Sequence, residues 1–89
     1  MATVSFTANL QRHVECPSRD VEGATVRAVL DRVFTDNPRL RGYIVDETGA
    51  LRLHMLIFVD GTQIADREQL SDPVRSTSEV YVIQSLSGG

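Results

Sequence analysis

Near the start of the chain Val4, Phe6 and Ala8 alternate with Thr3, Ser5 and Thr7. This period of two puts one set of side chains on each face of a half-buried strand, so the spacing predicts a first strand over residues 3–8. Residues 11–16 read as a second strand hairpin-paired with the first, ended by Pro17, which has no N–H to give to a ladder. A different period takes over after Gly23. Val26, Val29, Leu30, Val33 and Phe34 stand at i, i+3, i+4, i+7 and i+8, the stripe of an amphipathic helix. Thr25 or Gly23 caps its start, and Asn37-Pro38 stops it, because the residue before a proline is pushed out of helical space. Each large apolar side chain of such a stripe contributes about 1.5–3 kcal/mol when fully buried, so the stripe reads as core.

Residues 38–45 read as a short turn or a single helical turn, and Asp46-Glu47-Thr48-Gly49 as a turn whose glycine takes positive φ. Leu51 to Asp60 begins as an alternation and becomes continuously apolar, the pattern of the strongest strand of the chain. Asp60-Gly61 is a tight-turn pair with Thr62 to Ile64 as the return strand. The polar stretch that follows carries Leu70 and Val74 as plugs into the core, with a turn at Ser71-Asp72-Pro73. Glu79 to Ser85 is the last strand, Val80 and Val82 facing one side and Tyr81 and Ile83 the other. The order is that of an α+β domain: a mixed four- to five-stranded sheet with one main helix packed across it. If the first and last strands are parallel central neighbours, this is the β-grasp arrangement. Residues 1–84 then form the domain and residues 85–89 a tail leaving from the middle of the sheet.

At 89 residues the chain has room for one domain. An apolar content of 42% with 24% charged residues is that of a globular protein, and no apolar run approaches the ~18 residues of a membrane span. The first residues lack the cationic start and apolar block of a secretory signal, and the one cysteine, Cys16, has no internal partner; the expected location is the cytoplasm. All nine basic residues are arginines and none is lysine. Their scatter, with a net charge of −3, is not a nucleic-acid footprint. His13 and His54 have no partner at metal-ligand spacing, Cys16 has no helix start or basic cluster beside it to lower its pKa, and a four-cysteine iron–sulfur site is excluded. No phosphate-binding loop, dinucleotide fingerprint or nucleophile triad is present.

Candidate chemistry lies in Ser85-Leu86-Ser87-Gly88-Gly89. Paired glycines let backbone pass through a channel too narrow for a side chain, and five extended residues reach roughly 17 Å. A terminal carboxylate is an anion at neutral pH and a poor electrophile until it is activated. Leu86 either anchors the tail in a partner's pocket or caps the core.

The chain resembles the small sulfur-carrier proteins related to the molybdopterin synthase small subunit and the thiamine-pathway sulfur carrier, relatives of ubiquitin. The resemblance rests on the helix entry Ala24-Thr25-Val26-Arg27-Ala28-Val29-Leu30, on Pro38-Arg39-Leu40, and on the hairpin from Ile57 to Ile64. It continues through Leu70-Ser71-Asp72-Pro73-Val74 and the run from Glu79 to Gly88-Gly89, and so spans nearly the whole chain. It implies that an E1-like enzyme uses ATP to adenylate the Gly89 carboxylate, and that a persulfide donor then converts it to a thiocarboxylate. That sulfur is delivered to an acceptor biosynthetic enzyme. The chain itself is a protein co-substrate, not an enzyme, and binds no cofactor or metal.

Two other readings stand beside this one: a ubiquitin-like modifier joined through Gly89 to target lysines, and an interaction module whose Gly-Gly is incidental. A docking face for the activating enzyme is expected on the sheet opposite the helix, from Leu56 and Phe58 with Tyr81 or Ile83. The competing assignment is that one of these sets packs beneath the helix, since a strand apolar throughout does not declare its faces.

Overall fold

The computed structural model describes residues 1–12 and 14–84. Ala2, Val4 and Phe6 are buried and the residues between them half-buried, which makes Ala2–Phe6 the strand β1. A turn of helix, α1 (Ala8–Gln11), leads away from it, and β2 (Arg19–Val21) returns antiparallel with Ala2 opposite Val21. The strand therefore lies later than residues 11–16. Leu10 and Val14, four apart, are both buried beside a helical turn in which the Val14 N–H donates to the Leu10 carbonyl at 3.2 Å. That i, i+4 pair makes this stretch a helical turn in place of the expected strand.

The main helix, α2 (Val26–Asp36), buries Val26, Val29, Leu30, Val33 and Phe34, the stripe read from the sequence. Its cap is Thr25, whose hydroxyl accepts from the Ala28 N–H at 3.1 Å. Asn37 closes the helix, and Pro38 opens a further one, α3 (Pro38–Ile44), longer than the single turn expected. Leu40 and Ile44, again four apart, are its buried side.

The stretch from Leu51 also departs from expectation. Only β3 (Met55–Val59) is strand; Leu51 makes an isolated bridge to Val45, and the chain turns at residues 52–54 with the Met55 N–H donating to the Arg52 carbonyl at 2.9 Å. Leu53 is 95% exposed. The backbone of Leu51 and Arg52 is engaged instead by the Arg67 and Ile44 carbonyls, at 2.8 and 3.0 Å, which draws it away from the sheet. After β3 the chain reverses at Asp60 and Gly61, both at positive φ (51° and 84°), a two-residue hairpin loop matched to strand twist. β4 (Thr62–Gln63) follows, and β5 (Glu79–Gln84) ends the described chain. Leu70 and Val74 plug the core as expected, and Gly49 has φ 88°.

Among the described residues five strands form one sheet in the order β2-β1-β5-β3-β4, with β5 parallel to β1 and antiparallel to β3. The first and last strands are thus central neighbours. Ala2, Val4, Phe6, Met55, Ile57, Val80 and Val82 of the sheet join the α2 stripe in a single apolar core.

Candidate functional site

Alternation along β5 divides its side chains between two environments. Val80 and Val82 are buried in the core, while Tyr81 is 44% exposed and Ile83 half-buried. On β3 Met55 and Ile57 are buried, and Leu56 and Phe58 lie on the other side. The register places Leu56 opposite Ile83 and Phe58 opposite Tyr81, so the four residues share the face of the sheet turned away from the core. The competing possibility, that one of these sets packs beneath the helix, is thereby excluded.

Rows across this face give it a gradient. Ser5 stands beside Tyr81, and Gln63 beside Phe58, which completes one row from β1 to β4. One row back, Thr3 stands beside Glu79 and Asp20, and the Thr3 hydroxyl donates to the Asp20 carboxylate at 2.8 Å. One row forward stand Leu56 and Ile83, while Gln84, paired with the buried Met55, alternates to the other side of the sheet. The face is polar and acidic where β5 begins and apolar where it ends, next to the point from which residues 85–89 continue. A groove in it is lined by Ser5, Phe58, Gly61, Glu79, Tyr81 and Ile83.

Ser5, Gly61 and Glu79 were not anticipated. The parallel register of β1 on β5 sets Ser5 at the rim of the apolar patch, alternation along β5 puts Glu79 there, and the β3–β4 turn brings Gly61. The hairpin below the groove is tied to β5 through Asp60. Its carboxylate accepts from the Glu79 N–H at 2.9 Å and from the Ser78 hydroxyl at 2.8 Å, and its own N–H donates to the Glu79 carbonyl at 2.9 Å. The Glu79 N–H and then the Ser78 hydroxyl hold the Asp60 carboxyl below the usual carboxylate range, with a smaller contribution from the charge of Arg75. Ser78 itself is buried, so the start of β5 is held against the sheet by a satisfied polar contact.

Gly89, Gly88, Ser87 and Leu86 lie outside the described residues, as does His13. Cys16 is buried, and burial pushes its thiol pKa up, which keeps it a thiol rather than a thiolate nucleophile. Among the described residues no three His, Cys, Asp or Glu side chains are grouped to hold a metal ion. Nor, among them, is any helix long and apolar enough to cross a membrane.

No protein-family profile and no curated protein matches the sequence. Solved structures do match. A chain of the BexX/CysO complex of Amycolatopsis orientalis is 22% identical with a TM-score of 0.84, covering 100% of both chains. The small archaeal modifier protein 1 of Methanosarcina acetivorans is 23% identical with a TM-score of 0.81, over 99% of this chain and 95% of that one. CysO of Mycobacterium tuberculosis, described as an antigen, is 19% identical with a TM-score of 0.81, over 97% and 100%. With five strands in this order, a helix across them and agreement along the whole length, the chain has the ubiquitin-like β-grasp fold.

Proposed function

We propose that this chain is a sulfur carrier whose Gly89 carboxylate is adenylated by an E1-like enzyme at the expense of ATP and converted by a persulfide donor to a thiocarboxylate. The thiocarboxylate then supplies sulfur, as a nucleophile, to an acceptor biosynthetic enzyme. The chain contributes no general acid or base and acts as a co-substrate. Adenylation exchanges a carboxylate, which repels nucleophiles, for an acyl group with a good leaving group. The donor's outer persulfide sulfur then attacks the acyl carbon and displaces AMP, and a thiol reduces the resulting acyl disulfide, releasing the thiocarboxylate and leaving the donor sulfur in a disulfide. The outer face of Leu56, Phe58, Tyr81 and Ile83 docks the activating enzyme, and residues 85–89 carry the terminus into its active site.

One observation carries this reading. The apolar face increases toward Gln84, so a partner seated on it lies beside the point from which the tail departs. The likeness to a chain of the BexX/CysO complex supports a carrier that works in the grip of an enzyme. A second reading, conjugation of Gly89 to target lysines, is favoured by the likeness to small archaeal modifier protein 1.

The test is the intact mass of the protein from its native host, isolated without reductant or alkylating agent. A chain ending at Gly89 with a gain of about 16 Da confined to its C-terminal peptide, and with exact mass distinguishing sulfur from oxidation, is expected for the thiocarboxylate. An unmodified terminus together with remnants of residues 76–89, the stretch that follows the last arginine, on lysines of other proteins after tryptic digestion would transfer the assignment to the modifier.

A further inference from the structure

The nine arginines separate into two groups. Four have work that suits a guanidinium: Arg27 donates to the Gly49, Glu68 and Gln69 carbonyls, Arg52 to the Gly42 carbonyl, Arg67 to the Arg52 carbonyl, and Arg19 pairs with Asp36. The other five, Arg12, Arg32, Arg39, Arg41 and Arg75, are exposed, and among the described residues their side chains donate no hydrogen bond and join no ion pair. Arg75 adds only its charge near Asp60, which an ammonium would supply equally. Nothing in the fold asks for arginine at these five positions, yet lysine occupies none of them. What the two cations do not share is nucleophilicity. An arginine side chain stays protonated, whereas a lysine with a pKa of about 10.4 presents roughly 1% free amine at pH 8.5.

We infer that the lysine-free surface protects the activated C-terminus from being consumed by the carrier's own copies, reserving the acyl group for an external nucleophile. This rests on the reading of Gly89 as an activated terminus. The reaction avoided is aminolysis: a lysine nitrogen attacks the Gly89 carbonyl carbon and a C–N bond forms. The bond to the adenylate oxygen or thiol sulfur breaks with its electron pair, and the ammonium proton passes to water. The product is an amide, from which the carrier is not recovered. A side chain with no free electron pair at working pH cannot begin this sequence.

The experiment installs the electrophile chemically. The chain is prepared with a mercaptoethanesulfonate thioester at Gly89 by intein cleavage and held at pH 8.5 and high concentration. It is compared with a variant carrying Arg12→Lys, Arg32→Lys, Arg39→Lys, Arg41→Lys and Arg75→Lys, which preserves every charge and whose fold is checked by its melting temperature. The α-amine is common to both and sets the background. The wild type is expected to lose its thioester to hydrolysis, releasing monomeric acid, while the variant forms amide-linked dimer at least threefold faster by intact mass. Equal amide formation in the two proteins overturns the inference. No activating enzyme enters, so this outcome is independent of the native-host mass measurement on which the sulfur-carrier reading stands or falls.

Discussion

The carboxylate of Asp60 accepts the hydroxyl of Ser78 at 2.8 Å, joining the β3–β4 turn to the residue just before β5. The same carboxylate takes the Glu79 N–H, so the strand that leads to residues 85–89 is pinned at its origin by one ionised group. The pKa of Asp60 in the folded chain is lowered, chiefly by the Glu79 N–H. A group whose folded pKa is depressed stabilises the fold above its unfolded value, about 3.9, and that stabilisation is lost as pH falls through the folded pKa. Asp60→Asn, which tolerates the positive φ of this position, is expected to lower the urea midpoint at pH 7. The gap to wild type should stay constant down to about pH 5 and close below pH 4. A gap that persists to pH 2.5 would show that charge on Asp60 is not what holds the turn.

Asp46 and Asp66 behave alike. Asp46 is lowered first by the Thr48 hydroxyl and Asp66 first by the Ser71 hydroxyl, each organising a loop around a carboxylate. Both contribute to acid unfolding in the same direction as Asp60, so the steepest loss of wild-type stability is expected below pH 4.

Arg27 reaches from α2 to two separate loops. Its guanidinium donates to the Gly49 carbonyl at 2.8 Å, to Gln69 at 3.1 Å and to Glu68 at 3.2 Å. A lysine ammonium has the charge but not the fork, and cannot satisfy carbonyls on both loops at once. Arg27→Lys is expected to cost about 1.5–3 kcal/mol in chemical denaturation, the range for hydrogen bonds from a charged donor. A loss below ~0.5 kcal/mol would mean that water replaces these contacts freely.

Two glycines are expected to respond oppositely to the same substitution. A Cβ on Gly23 would lie 2.8 Å from the Val29 Cγ2 and 2.9 Å from the Val29 backbone nitrogen, which belongs to α2 and cannot retreat. Gly23→Ala is expected to destabilise by about 1–3 kcal/mol through overpacking. Gly42 lies within α3 with nothing within 4 Å of such a Cβ, so Gly42→Ala is expected to stabilise by about 0.4–1 kcal/mol by restricting the unfolded chain. Melting temperatures moving in opposite directions would bear this out; a fall in both would show that α3 needs its glycine.

Gly23 also shows where the chain could be read and where it could not. Between Gly23 and Thr25 as the helix cap, sequence offers two plausible residues; the hydroxyl contact to Ala28 selects Thr25, and Gly23 is there for space. The α2 stripe, the Asp60-Gly61 turn and the faces of β5 were legible because each is a local pattern repeated often enough to outweigh its neighbours. Residues 11–16 and 51–54 were misread because a strand-like alternation of two or three apolar residues is cheap to produce by chance. At residues 11–16 a local helical bond from the Val14 N–H to the Leu10 carbonyl prevails, whereas at 51–54 the decisive bond comes from afar, the Arg67 carbonyl taking the Leu51 N–H. The outer apolar face was half legible: Tyr81 and Ile83 were separable from Val80 and Val82 by alternation, but pairing with Leu56 and Phe58 required the register. Ser5 joins it only through a parallel contact between strands at opposite ends of the chain, while Glu79 follows from the alternation of β5.

That face makes the last prediction. Tyr81 is 44% exposed and Phe58, directly opposite, is half-buried, so neither is needed in the core, and together they form the aromatic centre of the groove. Aromatic side chains at the centre of an interface carry a disproportionate share of binding energy, about 2 kcal/mol or more each on truncation. If an activating enzyme grips the carrier here, Tyr81→Ala should reduce kcat/KM for adenylation, read as pyrophosphate exchange with the host's E1-like enzyme, by about 30-fold. Its melting temperature should move little. Asp20→Ala, on the polar end of the same face, serves as the control and should leave adenylation unchanged. Equal activity in all three proteins would place the grip elsewhere on the fold, while equal losses in both variants would point to a broad electrostatic contact rather than an aromatic anchor.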